Sequence, residues 1–125
     1  MIVDTNALSA AADDDPAVIA ILTRAGQMAI PVIVLGEYLY GVEQSRLRAS
    51  YQAWLKSNLR FFDLLPIVRE TAERYSEIRH ELKAAGTPVP TNDLWIAALT
   101  RQHRVRLVTR DAHFRAIRNL PIVVW

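Results

Sequence analysis

The sequence contains no cysteine, only two lysines and no long hydrophobic run. Without cysteine, disulfides and thiolate metal sites are excluded, so any bound metal must be held by oxygen or imidazole ligands. The longest uncharged stretch near the middle, residues 26–36, is far too short to span a bilayer. The N-terminal residues lack the basic start of a secretory signal, and Asp4 interrupts their apolar run. We therefore expect a soluble, cytoplasmic protein with no membrane partner.

The composition is that of a globular chain. With 125 residues, 51% of them hydrophobic and 22% charged, we expect a single domain that spans residues 1–125. The net charge is only +2, but thirteen of the fifteen basic residues are arginine. The planar guanidinium suits phosphate oxygens, although solvated helix faces would give the same composition. Composition alone therefore does not identify a nucleic-acid-binding protein.

Short apolar segments alternate with helical patterns along the chain. We predict strands at residues 2–4, 28–30, 61–65, 106–109 and 122–125. Between them, Asp15 and Pro16 form a helix start, Pro31 begins a largely apolar helix, and a long helix ends at Gly86. We expect Thr91 or Asn92 to cap the helix that follows. This alternation predicts an α/β layered fold with a mainly parallel sheet.

Four acidic residues stand out, and each has a simple structural explanation when taken alone. Asp4 follows the first strand, Asp111 follows the strand at 106–109, and Asp93 lies in the first turn of a helix, so all three are suited to capping backbone amides. Glu37 is the only charged residue between Arg24 and Glu43, in an otherwise apolar helix. It must be protonated, paired with an arginine or bound to a metal.

Taken together, the acids favour a functional site. Asp4 and Asp111 each follow a strand and therefore lie at the sheet edge where parallel α/β proteins bind ligands. Residues that served only as separate helix caps would have no reason to lie together there. Clustered carboxylates repel one another unless a cation neutralises them, and hard divalent ions prefer oxygen ligands. Such ions activate water and stabilise the charge that develops during displacement at phosphorus. The pattern therefore predicts metal-dependent hydrolysis of phosphodiester bonds.

The same residues carry a family resemblance over the whole chain. The chain resembles the PIN-domain family and, within it, the VapC-type toxins of bacterial and archaeal toxin–antitoxin pairs. The matching motifs are Ile2-Val3-Asp4-Thr5-Asn6, Gly36-Glu37 with Gly41 closing the helix, Asn92-Asp93 with Ile96-Ala97-Ala98, and Leu107-Val108-Thr109-Arg110-Asp111 with His113-Phe114. Many members carry a hydroxyl residue before the helix glutamate, where this chain has Gly36.

The resemblance implies a three-layer α/β/α sandwich with a mainly parallel sheet. It also implies a metal-dependent endoribonuclease that uses Mg²⁺ or Mn²⁺, leaves a 5′-phosphate and a 3′-hydroxyl, forms homodimers and is silenced by a cognate antitoxin. Carried over by position, the metal-binding and catalytic residues are Asp4, Glu37, Asp93 and Asp111. Orienting residues around the metal or the phosphate are Thr5, Asn6, Asn92 and Thr109. Because Arg110 adjoins Asp111, we expect it to lie near the site and to be the first candidate for phosphate contact.

Three other interpretations were compared with this one. A haloacid-dehalogenase-type phosphatase needs a second aspartate two residues after the first, where this chain has Asn6, and a receiver domain needs adjacent acids and a late lysine. A non-catalytic RNA- or protein-binding module with the same fold is the more serious alternative.

We interpret His103 and His113 as surface or packing residues, and the three tryptophans as core residues.

Overall fold

The structure is a computed structural model that describes all 125 residues. Five parallel strands form one sheet in the order β3-β2-β1-β4-β5. The strands are β1 (Ile2–Val3), β2 (Met28–Pro31), β3 (Phe62–Leu65), β4 (Leu107–Val108) and β5 (Ile122–Val123). The central strand, β1, pairs with β2 on one side and with β4 on the other. The predicted α/β fold with a parallel sheet is confirmed.

Six helices connect and cover the strands. They are α1 (Thr5–Ala12), α2 (Pro16–Arg24), α3 (Val32–Glu43), α4 (Arg48–Asn58), α5 (Arg69–Ala85) and α6 (Thr91–His103). The chain moves outward from β1 to β3 and then returns to the other side of β1. Right-handed crossovers place helices on opposite faces of the sheet when this direction reverses, which gives the three-layer sandwich. The reversal lies between β1 and β4, the point at which such sheets bind ligands.

The helix boundaries follow local signals, with three differences from the expectation, the first of which is that Pro31 ends β2 and is the N-cap of α3 instead of beginning the helix. Asp15 caps α2 by accepting a hydrogen bond from the amide of Ala17, and Gly86 ends α5 with a positive φ of 67°. Neither Thr91 nor Asn92 caps α6, so that prediction is wrong: Pro90 is the N-cap and Thr91 is already helical. The extended backbone that proline imposes at position 90 starts the helix one residue early. Helix α3 also continues beyond Gly41 to Glu43.

The core fills the space between the sheet and its helices. Ile2 and Val3 of β1, Leu107 and Val108 of β4, and Phe114 are completely buried. Strands that are buried on both faces need apolar residues at every position, which explains why each of these strands appears in the sequence as a short unbroken run of apolar residues. No helix of the protein combines the length and the apolar character needed to cross a membrane.

Candidate active site

Asp4 lies at the C-terminal end of β1 and is almost completely buried, with 4% of its surface exposed. Its Oδ1 atom accepts a hydrogen bond from the amide of Thr5 at 2.7 Å, which caps α1. Its Oδ2 atom accepts from the Thr109 hydroxyl at 2.6 Å and from the Asn6 side chain at 2.9 Å. Asp4 therefore caps a helix, which is the structural role that its position in the sequence suggested. Its three hydrogen bonds also hold the carboxylate in one orientation.

Asn6 and Thr109 connect the ends of β1 and β4. The Asn6 amide nitrogen also donates to the Thr109 hydroxyl at 3.2 Å, and its Oδ1 atom accepts from the backbone amide of Arg110 at 3.2 Å. The Thr109 hydroxyl in turn accepts from the amide of Asp111 at 3.0 Å. These two side chains are therefore positioned to orient the acidic residues of both strands.

Glu37 projects from α3 toward the same strand ends. Its Oε2 atom accepts from the Thr5 hydroxyl at 3.3 Å, and the side chain of Asn92 lies near enough to favour its charged form. Its Oε1 atom is buried and has no hydrogen-bond partner. No arginine pairs with it, so the buried ion pair considered from the sequence is absent.

Asp93 and Asp111 meet around His113. The Nδ1 atom of His113 lies 3.1 Å from Asp93 Oδ2 and 3.1 Å from Asp111 Oδ1. Asp111 also caps the short 3₁₀ helix Ala112–Ala116 through the amide of His113. The ligand atoms of these three side chains lie within 4.8 Å of one another. His113 is exposed, as expected of a surface residue, but its ring also bridges two of the candidate acids.

The pKa values of the acids reflect this crowding. The pKa of Asp93 is raised to about 6, mainly by burial and also by the nearby charges of Asp111 and Asp4. Burial also raises the pKa of Asp4, and its hydrogen bonds to Thr109 and Thr5 offset this only in part. Burial and the charge of Asp4 raise the pKa of Glu37. These electrostatic couplings indicate that the four acids, which come from four distant segments, lie near one another.

The donors of this pocket fit a hard divalent cation. They are carboxylate oxygens, and a cation would favour their charged forms. The unpartnered Glu37 Oε1 atom is a buried acceptor for which a cation is a suitable partner. The imidazole of His113 is a further candidate ligand, and Mn²⁺ accepts imidazole more readily than Mg²⁺ does.

Arg110 lies next to the site, but its guanidinium contacts other groups. It stacks on the Trp125 ring at 4.2 Å from the ring centroid, and its Nε atom donates to the Trp125 carbonyl at 3.2 Å. It also pairs with Asp15 at 3.6 Å, and Asp15 accepts from the Trp125 indole. The backbone amide of Arg110 donates to Asn6, whereas its side chain forms no hydrogen bond or ion pair with a proposed site residue.

The tryptophans and His103 lie outside the acidic pocket. Trp54 packs against Tyr38, and Trp95 stacks on Tyr75 with ring centroids 4.1 Å apart. His103 is exposed at the end of α6. The sequence signal that identifies His113 is local: it lies two residues after Asp111.

Comparisons with known proteins agree with this geometry. The sequence profile of the PIN domain matches residues 1–120. The chain is 31% identical over 106 residues to Ribonuclease VapC2 of Rickettsia felis, covering 84% of this chain and 79% of the relative. The DNA-bound VapBC2 crystal structure from Rickettsia felis aligns with a TM-score of 0.87 at 29% identity, over 99% of this chain and 97% of that chain.

A second solved structure gives the same result. DNA-bound VapBC from Salmonella typhimurium aligns with a TM-score of 0.88 at 25% identity, over 99% of this chain and 96% of that chain. The profile and both solved structures match nearly the whole length of the chain, and Ribonuclease VapC2 matches 84% of it. This chain belongs to the PIN-domain family.

Proposed function

We propose that the 125 residues form a single nuclease domain that cleaves RNA internally with a divalent metal ion, as the toxin of a toxin–antitoxin pair. One observation carries the proposal: Asp4, which follows β1 beside the topological switch point of the sheet, is electrostatically coupled to acids from three other segments, Glu37, Asp93 and Asp111. The relative named Ribonuclease VapC2 supports RNA as the substrate, and solved structures of toxin–antitoxin complexes support the biological role.

The proposed metal ligands are Asp4, Glu37, Asp93 and Asp111, directly or through water. When bound, Mg²⁺ or Mn²⁺ would supply an activated water and would stabilise negative charge on the phosphate. Hydrolysis breaks the bond between phosphorus and the 3′ oxygen, so the products carry a 3′-hydroxyl and a 5′-phosphate.

The chain's own residues supply orientation. Thr109 and Asn6 fix the Asp4 carboxylate with two donated hydrogen bonds, and Thr5 and Asn92 orient Glu37. Such preorganisation matters because ligands that are held in place before the reaction need no rearrangement during it. Arg110 is proposed to act through its backbone contact with Asn6 rather than as a phosphate-binding side chain.

We further propose that the chain binds a cognate antitoxin and forms a homodimer in the cytoplasm. Three large apolar side chains between α3 and α4 support a protein-binding surface: Leu39, Tyr40 and Leu47 expose 43%, 67% and 59% of their surfaces. Light scattering on the purified chain tests the dimer, and co-purification with the protein encoded by the adjacent gene tests the antitoxin.

The test of the nuclease is to map cleavage ends on total RNA after incubation with the purified protein and MnCl₂ or MgCl₂. We expect 5′-phosphate ends that disappear with EDTA and with Asp93→Asn. Asp63→Asn, a matched change at an exposed residue of the edge strand β3, should cleave like the wild type. Cleavage that persists without metal would contradict the proposed metal dependence, whereas no cleavage by the folded wild type with either ion would favour the non-catalytic binding module.

A further inference from the structure

A cleft of about 260 Å³ leads away from the acidic pocket between α1 and α3. Residues at intervals of four line it on both sides: Thr5 and Ser9 of α1 with its C-cap Asp13, and Glu37 and Gly41 of α3 with Ser45, which follows that helix. Tyr51 of α4 lies at the far end, and Tyr38 and Val42 supply an apolar wall. The cleft therefore begins at two residues of the proposed active site and ends at the other end of the same two helices.

The polar groups of the cleft are mostly acceptors with capacity to spare. Asp13 Oδ1 accepts from the Tyr51 hydroxyl at 2.5 Å, while Asp13 Oδ2 makes no hydrogen bond. The Ser9 side chain makes none either, and the Ser45 hydroxyl accepts from the amide of Leu47 at 3.1 Å, which leaves its own proton free. A ligand with N–H or O–H donors would find acceptors at Asp13 and at the Ser9 hydroxyl, and the Ser45 hydroxyl would donate to the ligand.

The charge of the cleft decides which part of a nucleotide fits. No basic residue lines it, and a carboxylate stands at each end, so a phosphate would be repelled. The rise from Thr5 to Asp13 along a helical path is about 12 Å, from 1.5 Å per residue. The cleft is therefore long enough to hold the base of a nucleotide whose phosphate lies at the Thr5 end. An apolar wall with polar ends is also the usual lining of a small-ligand pocket.

We propose that this cleft binds the base of a nucleotide next to the scissile phosphate, and that Asp13 selects a base with adjacent N–H donors, which is guanine. The inference rests on the proposed ribonuclease function. A carboxylate only accepts hydrogen bonds, and guanine alone presents a ring N–H beside an amino group on its Watson–Crick edge. Single-stranded RNA exposes this edge to proteins, whereas a duplex hides it.

Gly41 keeps the cleft open in its middle. A Cβ atom built at this position meets no atom within 4 Å, so a side chain there would project into free space without disturbing the packing. Glycine inside a helix is also unfavourable, by about 1 kcal/mol relative to alanine. Gly41→Leu should therefore fold well while it fills the cleft, which makes it a steric test that leaves every polar group in place.

The first experiment measures binding without requiring cleavage. The full chain is titrated with each of the four nucleoside 5′-monophosphates, and backbone amide shifts are followed by NMR. We expect guanosine monophosphate to shift amides of Ser9, Ser45 and Tyr51, with at least tenfold weaker effects in Asp13→Asn and Gly41→Leu. Asp14→Asn is the matched control, since this neighbouring acid lies outside the cleft and its positive φ of 59° suits asparagine. Equal shifts with all four nucleotides, or shifts confined to other surfaces, would overturn the proposal.

The second experiment uses RNA oligonucleotides that differ only in the base beside the cleavage site. We expect wild type and Asp14→Asn to prefer guanine by about tenfold, the range of a base-edge hydrogen-bond pair, and Asp13→Asn to lose the preference while it still cleaves. An unchanged base preference in Asp13→Asn contradicts the inference. This holds even if the variant binds the antitoxin more weakly, because the cleft would then serve the antitoxin and not the RNA base. If no oligonucleotide is cleaved, the proposed function fails, and the nucleotide titration still decides whether the cleft binds guanine.

Discussion

Replacing Asp93 by asparagine should stabilise the metal-free protein at neutral pH. The pKa of this carboxyl is 3.8 in an unstructured chain and about 6 in the fold, mainly because the group is buried. Because the folded state holds the proton more tightly, protonation stabilises the fold below about pH 4, and this contribution is lost as the pH rises through 6. At about 1.4 kcal/mol per pH unit, the loss amounts to roughly 3 kcal/mol.

Asparagine resembles the protonated carboxyl and keeps an oxygen that can accept from His113, so it should not suffer this loss. We expect Asp93→Asn to be more stable than the wild type by roughly 1–3 kcal/mol at pH 8 in EDTA, and by less at pH 4.5. The assay is urea denaturation at both pH values, with Asp63→Asn as a control of equal charge change. A variant that is less stable at pH 8, or an advantage that does not shrink at pH 4.5, would refute the reasoning.

Four further outcomes follow from the geometry. Saturating MgCl₂ or MnCl₂ should raise the Tm of the wild type by several degrees in a thermal scan. An ion at about 100 times its Kd adds about 2.7 kcal/mol to the free energy of unfolding, and Glu37→Gln should reduce the Tm shift. Asp4→Asn should lower RNA cleavage at least 100-fold in a time course while far-UV circular dichroism stays native, and full activity would exclude Asp4 as a ligand. Phe114→Ala, at a completely buried residue, should cost about 3–5 kcal/mol in urea denaturation, and a loss below 1 kcal/mol would mean that the core is loosely packed there. Arg110→Ala should cost about 1 kcal/mol and change Trp125 fluorescence, with cleavage reduced less than fivefold; a 100-fold loss of cleavage would assign its side chain to the substrate instead.

Sequence patterns predicted the layers of the fold because the strands and their connections leave local signals. Apolar runs marked the buried strands, the Asp15–Pro16 pair marked the start of α2, and Gly86 marked the end of α5. The order of the acids along the chain was also sufficient to place them at one sheet edge, since all strands are parallel. These features depend on neighbouring residues or on a single topological rule.

The parts that sequence reasoning missed depend on contacts between distant residues. His113 reaches Asp93, twenty positions away, and Arg110 turns toward Asp15, which lies ninety-five positions earlier in the chain. Neither the contact of His113 with Asp93 nor that of Arg110 with Asp15 can be predicted from the spacing of these residues in the sequence. The cleft between α1 and α3 was missed for the same reason, because serine residues at helical intervals are ordinary surface residues until a second helix faces them.

The pairing of β1 with β4 has a consequence for how the molecule is made. On one side of β1, Ile2 and Val3 pair with Leu107 and Val108, and Asp4 obtains its shortest hydrogen bond from Thr109. A nascent chain that has emerged from the ribosome only as far as α6 therefore has neither a complete sheet nor an oriented first acid. Contacts of such large sequence separation form late in folding. Any activity of the pocket must consequently appear abruptly, near the end of synthesis, rather than grow as the polypeptide lengthens.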